Sequence, residues 1–162
     1  SIYGETLNEP EPLLSNTKRV KGLDGNDKMG KSLGNAIYLI DDEETITKKV
    51  MGAITDPNKI KKDDPANPDV CMVYYYHKLV NDEASCNTIC EECKKGARGC
   101  VQCKKELVAK MNEYLSGIKE RRKQYEEHPE LVKAILDKGT EEARAKAKEQ
   151  LKKIKQAMKI DY

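Results

Sequence analysis

Six cysteines constrain this chain more than any other feature of its sequence. Five of them lie within 18 residues, in the order C-x3-C-x2-C-x6-C-x2-C, and the sixth stands further upstream. Small disulfide scaffolds are secreted, whereas this chain shows no leader and is rich in lysine-bearing helical segments. Two C-x-x-C pairs set close together are typical of sites for soft metals, because thiolates at that spacing can turn toward one centre. The sequence therefore predicts a metal site among Cys71, Cys86, Cys90, Cys93, Cys100 and Cys103.

The remaining composition indicates a modest domain without a membrane segment. Among 162 residues, 30 are Lys or Arg and 28 are Asp or Glu, which gives a net charge of +2. The longest apolar-looking run has seven residues, Val70 to Tyr76, so we expect no transmembrane span. The chain begins at Ser1 rather than at a methionine, and no charged-then-apolar segment opens it, so we expect no secretory signal. We therefore expect a processed chain or a fragment of a larger cytoplasmic protein.

Basic side chains concentrate in one interval that contains no acid. Such a patch can contact phosphates, or it can be solvated surface, and composition alone leaves both readings open. Its members are Lys94, Lys95, Arg98, Lys104 and Lys105.

Local patterns predict a loop-rich start. Prolines and glycines punctuate residues 1–35, and Ala36 to Ile40 could form a short strand or begin a helix. Asp41 or Asp42 offers an N-cap for an amphipathic helix over residues 43–54. Asp56 to Pro68, with three prolines, is typical of a linker.

After that linker the patterns predict helices to the end of the chain. Val70 to Val80 forms one, Asp82 can cap the next, and a third runs from about Val101 to Glu127. Pro129 opens a further helix that Gly139 ends, and Thr140 starts the last one. Helical stripes are predicted as core at Val108, Met111, Leu115 and Ile118 and at Ala143, Ala147, Leu151, Ile154 and Met158.

Residues 28–32 are a candidate phosphate-binding loop. Lys28 and Lys31 stand three apart around Gly30, with Ser32 beside the second lysine, and lysine is a mobile point charge that can bind a polyphosphate. Gly25 to Ser32 also satisfies the Walker pattern, but too few residues follow for a helical crossover to a parallel strand. A plain structural turn is the remaining alternative.

The loop and its flanks resemble bacterial tryptophanyl-tRNA synthetases. Residues 28–32 are similar to the class I signature Lys-Met-Ser-Lys-Ser, with Gly30 in the usual serine place. The other matching pieces are Gly22-Leu23-Asp24-Gly25, Leu33-Gly34-Asn35-Ala36-Ile37, Thr55-Asp56-Pro57, Asn67-Pro68-Asp69-Val70-Cys71, His77-Lys78 and Gly99-Cys100-Val101-Gln102-Cys103-Lys104-Lys105. They indicate the C-terminal part of such an enzyme, from the signature loop to the end of the chain.

The resemblance implies a role for each part of the loop. Lys28, Met29, Gly30, Lys31 and Ser32 would bind ATP, and Lys28 and Lys31 would be the catalytic residues that stabilise charge on the pyrophosphate. The His-x-Gly-His element of class I synthetases is not found around His77 or His128. We therefore expect the chain alone to be inactive in tryptophan activation, and its parent to be a homodimer that uses ATP, Mg²⁺, tryptophan and tRNA(Trp).

The same resemblance bears on the metal and on the basic patch. An iron–sulfur subset of the family carries one distant cysteine followed by C-x6-C-x2-C, which implies a 4Fe–4S cluster on Cys71, Cys93, Cys100 and Cys103. Two C-x-x-C pairs, Cys90 with Cys93 and Cys100 with Cys103, remain an alternative set that would suit zinc. The patch at Lys94, Lys95, Arg98, Lys104 and Lys105 would contact the tRNA.

These inferences predict a mainly α fold in two parts. Residues 1–55 would carry the signature loop and a connecting helix, at the edge of an α/β catalytic domain. Residues 56–162 would form a helical anticodon-binding bundle with a four-cysteine metal site. The alternative is a freestanding four-cysteine module, with zinc or an iron–sulfur cluster, that binds RNA without catalysis.

Overall fold

The computed structural model describes residues 2–15, 17 and 19–160. Within that part of the chain the regular structure is helical and no strand is present, which confirms the mainly α prediction. The helices are α1 (Glu43–Met51), α2 (Met72–Val80), α3 (Glu83–Lys94), α4 (Cys100–Glu127) and α5 (Pro129–Met158). Two short 3₁₀ turns cover Lys31–Leu33 and Pro68–Val70. None of the described helices is both long and apolar enough to cross a membrane.

The chain divides into two compact units. One unit is Asn16–Glu120, and the other consists of Ser1–Ser15 with Arg121–Tyr162. The predicted boundary between residues 55 and 56 lies inside the unit Asn16–Glu120 and stays a prediction.

The helix caps follow the predicted chemistry. The Asp42 carboxylate accepts a hydrogen bond from the backbone N–H of Thr45 at 2.8 Å and so begins α1. Asp82 does the same for α3 through the N–H of Ser85 at 2.7 Å. Each cap satisfies a backbone donor that the helix itself leaves unpaired.

Two helices are shorter than predicted because Ile54 bonds elsewhere. The N–H of Ile54 donates to Leu23 O, and its carbonyl accepts from the N–H of Met72, each at 3.0 Å. Helix α1 therefore ends at Met51, and α2 begins at Met72 rather than at Val70. The segment 36–40 forms a turn, with the N–H of Asp41 donating to Tyr38 O, instead of a strand or a helix start.

The core of Asn16–Glu120 lies where α1, α2, α3 and α4 pack together with Leu23 from the loop. Ile46, Val50 and Leu107 are completely buried. The stripe predicted on α4 is confirmed: Val108, Met111 and Leu115 are buried, and Ile118 packs against them.

Helix α5 contradicts two predictions. It continues through Gly139 for 30 residues, so Gly139 ends no helix and Thr140 starts none. A glycine inside an exposed helix costs only about 1 kcal/mol relative to alanine, and good helix formers surround this one. No residue of α5 is buried, so its apolar stripe is not core within the described residues. Within the same unit, Gln150 of this helix donates a hydrogen bond from its Nε2 to the backbone carbonyl of Thr6 at 2.6 Å.

Candidate functional site

Asn35 holds the phosphate-loop candidate in shape. This side chain is 4% exposed, and its Nδ2 donates to Lys28 O at 3.2 Å and to Asp24 Oδ1 at 2.9 Å. Its Oδ1 accepts a hydrogen bond from the N–H of Gly30 at 2.9 Å. A Cβ at Gly22 would lie 2.2 Å from Asn35 Nδ2, so only glycine fits there. The loop is therefore built around one buried amide.

The side chains of Lys28, Lys31 and Ser32 take no part in that hydrogen-bond network. Lys28, Lys31 and Ser32 are exposed, and within the described residues their side chains have no hydrogen-bond or ion-pair partner. With Met29, Gly30 and Leu33 they line an open cavity of about 890 Å³. Two free ammonium groups at a cavity of that size can bind a polyphosphate, because no internal carboxylate competes for them.

The loop geometry differs from that of a Walker motif. Only a three-residue 3₁₀ turn, Lys31–Leu33, follows Gly30, and Gly34 then adopts a left-handed conformation with φ of 65°. A Walker loop opens an α-helix after its lysine and serine. The Walker alternative is therefore wrong for this loop.

Four of the six cysteines line one small cavity. Cys71, Cys93, Cys100 and Cys103 surround a space of about 20 Å³, which has room for about one water molecule. Burial raises the pKa of the thiols of Cys71, Cys93 and Cys103, and Coulombic repulsion from other thiols of this set raises it further. The structure thus brings together the cysteines that the iron–sulfur reading selects.

The other two cysteines have different surroundings. The buried Cys86 thiol donates to His77 O at 3.6 Å, and Cys90 lies beside the Tyr74 hydroxyl. Neither lines the four-cysteine cavity. All six cysteines are free thiols. Across residues 2–15, 17 and 19–160, no group of three or more His, Cys, Asp or Glu side chains has an arrangement that could hold a metal ion as it stands.

Arg98 and His77 both contact Cys103. The Arg98 guanidinium forms ion pairs with Glu92 and Glu106, its side chain is 11% exposed, and its nearby positive charge opposes the burial that raises the pKa of the Cys103 thiol. On the other side, His77 Nε2 lies 3.4 Å from Cys103 Sγ and 3.1 Å from Cys103 O. Burial lowers the pKa of His77, so this ring stays neutral at physiological pH. These contacts fix the orientation of Cys103.

In the basic patch, some cations are bonded to groups of the protein and others are exposed to solvent. Lys104 Nζ donates to Met51 O and to Ala53 O, each at 2.8 Å, where α1 ends. Arg98 is engaged as described above. Lys94 and Lys105 are exposed, and Lys95 forms only an exposed ion pair with Glu91 at 3.3 Å.

Two contributors to these sites were missed from the sequence. The sequence marks Asn35 only as a flank of the motif, although an Asn that follows a left-handed Gly34 can turn back onto the loop. The lysines of residues 59–62 were read as linker. They lie against the N-terminus of α4 and line a cavity together with Cys100 and Lys105.

Comparison with known proteins agrees with this geometry. Residues 2–116 match the family model described as tRNA synthetases class I (W and Y). The chain therefore belongs to the class I tRNA synthetases of the tryptophan and tyrosine group. Within that group it is similar to tryptophan–tRNA ligases. The ligase of Aquifex aeolicus is 38% identical over 160 residues, which cover 98% of this chain and 40% of the relative.

Other relatives give the same result. The tryptophan–tRNA ligase of Streptococcus mutans is 40% identical over 162 residues, covering 96% of this chain and 48% of the relative. The crystal structure of tryptophanyl-tRNA synthetase from Campylobacter jejuni, complexed with ADP and tryptophan, superposes with a TM-score of 0.80 at 30% identity. The superposition covers 96% of this chain and 48% of the Campylobacter jejuni chain. The chain thus spans less than half of the length of these relatives.

Proposed function

We propose that this chain supplies the phosphate loop and the tRNA-binding helical region of a tryptophan–tRNA ligase, which attaches tryptophan to tRNA(Trp) with ATP. One observation carries the proposal: in a chain of this family, Lys28 and Lys31 stand free at an open cavity on a loop that Asn35 fixes. A freestanding RNA-binding module would have no use for such a loop, so we do not retain that alternative.

The loop would act by charge. During activation the tryptophan carboxylate attacks the α-phosphorus of ATP, and negative charge grows on the departing pyrophosphate. Lys28 and Lys31 would stabilise that charge in the transition state, and Mg²⁺ would bind with the ATP phosphates. The N–H of Gly30 already donates to Asn35, so it is not available to phosphate, whereas the side chains of Ser32 and the two lysines are exposed and could bind it.

The test is tryptophan-dependent ATP–pyrophosphate exchange in the full-length parent. Replacing Lys31→Ala should lower kcat while leaving the KM for tryptophan unchanged, because the lysine acts most strongly in the transition state. Lys48→Ala, an exposed lysine of α1, is the matched control. Equal losses in ATP affinity and in rate would contradict the role. The 162-residue chain alone should show no exchange, and detectable exchange would overturn our assignment of it as a partial enzyme.

We further propose that the basic patch contacts the tRNA. Lys94, Lys95 and Lys105 are the accessible members, while Arg98 and Lys104, through their internal bonds, would hold the patch in place. Binding by phosphate contacts is salt-dependent, so neutralising Lys94 and Lys95 together should weaken tRNA binding and flatten its salt dependence. Unchanged affinity and slope would identify these two lysines as solvated surface.

We propose that Cys71, Cys93, Cys100 and Cys103 hold a metal centre, a 4Fe–4S cluster in preference to zinc. Support comes from the donor set: four thiols line one cavity, and His77 Nε2 contacts one of them. The cavity, about 20 Å³, is smaller than a cluster as the side chains stand. The centre would tie together the segments that carry Cys71, Cys93 and Cys100, a structural role rather than a redox one.

Two serine variants and a visible-absorption spectrum of anaerobically purified protein test this assignment. An iron–sulfur cluster is coloured, and d¹⁰ zinc is not. Cys71→Ser should abolish the absorption, while Cys90→Ser should keep it. The reverse result would favour the compact set of two C-x-x-C pairs, and a colourless protein that contains zinc would overturn the cluster.

A further inference from the structure

One buried histidine joins two helices that carry proposed ligand cysteines. Cys71 is the N-cap residue of α2, and Cys103 lies in the first turn of α4. His77, in the last turn of α2, is 1% exposed and contacts Cys103 through its Nε2. The ring therefore links the two helices at one of the cysteines that line the four-cysteine cavity.

The hydrogen bonds of the His77 ring determine which nitrogen carries its proton. A backbone carbonyl can only accept, and Cys103 O lies 3.1 Å from Nε2, so Nε2 donates. In the neutral ring Nδ1 then has a free lone pair, and Asn81 Nδ2 donates to it at 2.7 Å. Both partners thus select the same tautomer, with the N–H on the side of Cys103.

The backbone at His77 is fixed as well. Its carbonyl accepts hydrogen bonds from the N–H of Asn81 at 2.9 Å, where α2 ends, and from the Cys86 thiol at 3.6 Å. The neighbouring Tyr76 is 2% exposed, and its hydroxyl donates to Lys21 O at 2.5 Å. The ring is therefore held in position before any metal binds.

The His77 N–H is shared between the carbonyl and the sulfur of Cys103. Nε2 lies 3.4 Å from Cys103 Sγ, within reach of a hydrogen bond to sulfur. A thiol sulfur accepts weakly, whereas hydrogen bonds to an ionised acceptor are shorter and stronger. A metal ligand is a thiolate, because metal binding releases the thiol proton. The bond therefore favours the metal-bound state of Cys103 over its free thiol.

A second donor beside the same cavity has no acceptor. Among the described residues, the buried Nε of Arg98 has no hydrogen-bond partner, although the other guanidinium nitrogens pair with Glu92 and Glu106. Arg98 lines the four-cysteine cavity. A buried N–H without a partner costs stability, and an anionic centre in this cavity would supply an acceptor. The surroundings of Cys103 are thus rich in donors, which suits thiolate ligands.

We propose that His77 is a positioning residue of the metal centre, whose Nε2–H donates to Cys103 Sγ and stabilises that sulfur as a metal-bound thiolate. Asn81 fixes the tautomer that this bond needs. The inference rests on the proposed four-cysteine centre and adds to it the group that orients one ligand. Partners of this kind contribute roughly 10- to 100-fold to metal affinity.

Cadmium binding to the metal-free 162-residue chain tests the donor. Thiolates bind soft ions such as Cd²⁺, and competition with a chelator measures the affinity. His77→Phe keeps a planar ring without the N–H and should bind Cd²⁺ roughly 10- to 100-fold more weakly. His77→Gln can place an amide N–H near the position of Nε2 and should retain most of the wild-type affinity.

His128→Phe is the matched control. It makes the same substitution at an exposed histidine that contacts Glu130 at 3.0 Å, and it should leave the affinity unchanged. Circular dichroism checks that each variant remains helical.

A measurement on the wild-type chain does not depend on the folding of any variant. In NMR spectra of the chain loaded with a magnetic isotope of cadmium, a scalar coupling between the metal and the His77 Nε2 proton passes only through an N–H···S–Cd hydrogen bond. We expect this coupling together with couplings from cadmium to the β-protons of Cys71, Cys93, Cys100 and Cys103. A histidine that only packs α2 against α4 would not produce it.

The outcomes separate this inference from the proposed centre. If cadmium couples to the four cysteines but not to His77, or if His77→Phe binds as tightly as wild type, the inference is wrong and the metal centre stands. A helical His77→Gln variant that binds as weakly as His77→Phe would show that ring shape rather than the N–H supports the site, and would also overturn the inference. If the wild-type chain binds no cadmium, the proposed four-cysteine centre fails, and this inference fails with it.

Discussion

The side-chain carbonyl of Asn35 accepts a hydrogen bond from the backbone N–H of Gly30, the central residue of the proposed phosphate loop, at 2.9 Å. The same amide group donates to the carbonyl of Lys28. One buried side chain thus fixes the backbone between the two lysines that would bind ATP.

Replacing Asn35→Ala should loosen this loop. The change leaves the N–H of Gly30 and the carbonyl of Lys28 without their partner and removes one of the donors to the Asp24 carboxylate, at a cost of about 1–3 kcal/mol. Hydrogen exchange of the Gly30 amide should therefore become faster, and urea denaturation should detect the lower stability. Asn26→Ala, which removes an exposed side-chain bond to the same Asp24, is the control. Unchanged exchange at Gly30 would show that Asn35 does not hold the loop.

Replacing Gly30→Ser, which restores the usual signature residue, should stabilise the loop. The backbone at Gly30 has φ of −149° and ψ of 140°, which any residue adopts, and an added Cβ would meet its nearest neighbour, Leu33 Cδ1, at 3.4 Å. Removing the glycine reduces the freedom of the unfolded chain, which is worth about 0.4–1 kcal/mol. Slower amide exchange across residues 28–33 is the expected observation.

Gly34→Ser provides the opposite control for that experiment. Gly34 has φ of 65°, a left-handed conformation that costs a side chain roughly 1–2 kcal/mol. This variant should destabilise the loop. If both serine variants shift stability in the same direction, the backbone argument is wrong.

Lys104→Met should destabilise the unit Asn16–Glu120 by about 1 kcal/mol. The change removes a cation that donates to two carbonyls, of Met51 and Ala53, where α1 ends, and it leaves both of them without that partner. Thermal unfolding followed by circular dichroism measures the loss. Lys105→Met removes the neighbouring exposed lysine and should change stability by less than about 0.5 kcal/mol. Equal effects of the two variants would refute a capping role for Lys104.

Asp56 should make stability depend on pH. Hydrogen bonds from the N–H of Asn67 at 2.7 Å and of Asn58 at 2.9 Å hold the pKa of its buried carboxyl below the usual range. Because the pKa of this carboxyl is lower in the folded state, its ionised form stabilises the fold. That contribution is complete above the unfolded pKa of about 3.9 and is lost as the pH falls through the lower pKa of the folded state. Asp56→Asn should therefore be less stable than wild type at pH 7, with a difference that shrinks below about pH 4.

Urea denaturation between pH 7 and pH 3 measures this dependence. Asp63→Asn, at an exposed carboxyl in the same segment, is the control. If the difference in unfolding free energy between wild type and Asp56→Asn does not change with pH, the ionised Asp56 carboxylate does not stabilise this segment.

Local signals predicted the helices well, and contacts between distant residues account for the errors. The caps at Asp42 and Asp82 depend on residues three positions away, so the sequence reveals them. Ile54 leaves its predicted helix because its partners are Leu23 and Met72, which periodicity cannot show. Gly139 does not end a helix, because the helix formers on both sides of it outweigh the low helix propensity of a single glycine.

The site shows the same division. The motif predicted Lys28 and Lys31, and the resemblance to the iron–sulfur subset of the family singled out the four cysteines that the structure places around one cavity. They could not identify Asn35, whose role depends on a chain that folds back on Asp24 and Gly30, or the cavity at Ile60, which exists only because the linker docks on α3 and α4. For Arg98 and Lys104, charge alone was visible in the sequence, and their internal partners were not.

The backbone bonds of Ile54 have a consequence for how this chain can be divided. Leu23 before it and Met72 after it both bond to that residue, so the phosphate loop and the cysteine-bearing helices share a single core. A protease cut or a gene truncation near residue 55 would open this core and leave both pieces with unpaired backbone groups. Either half expressed alone should therefore be unfolded, and the two proposed functions have to be separated by point substitution.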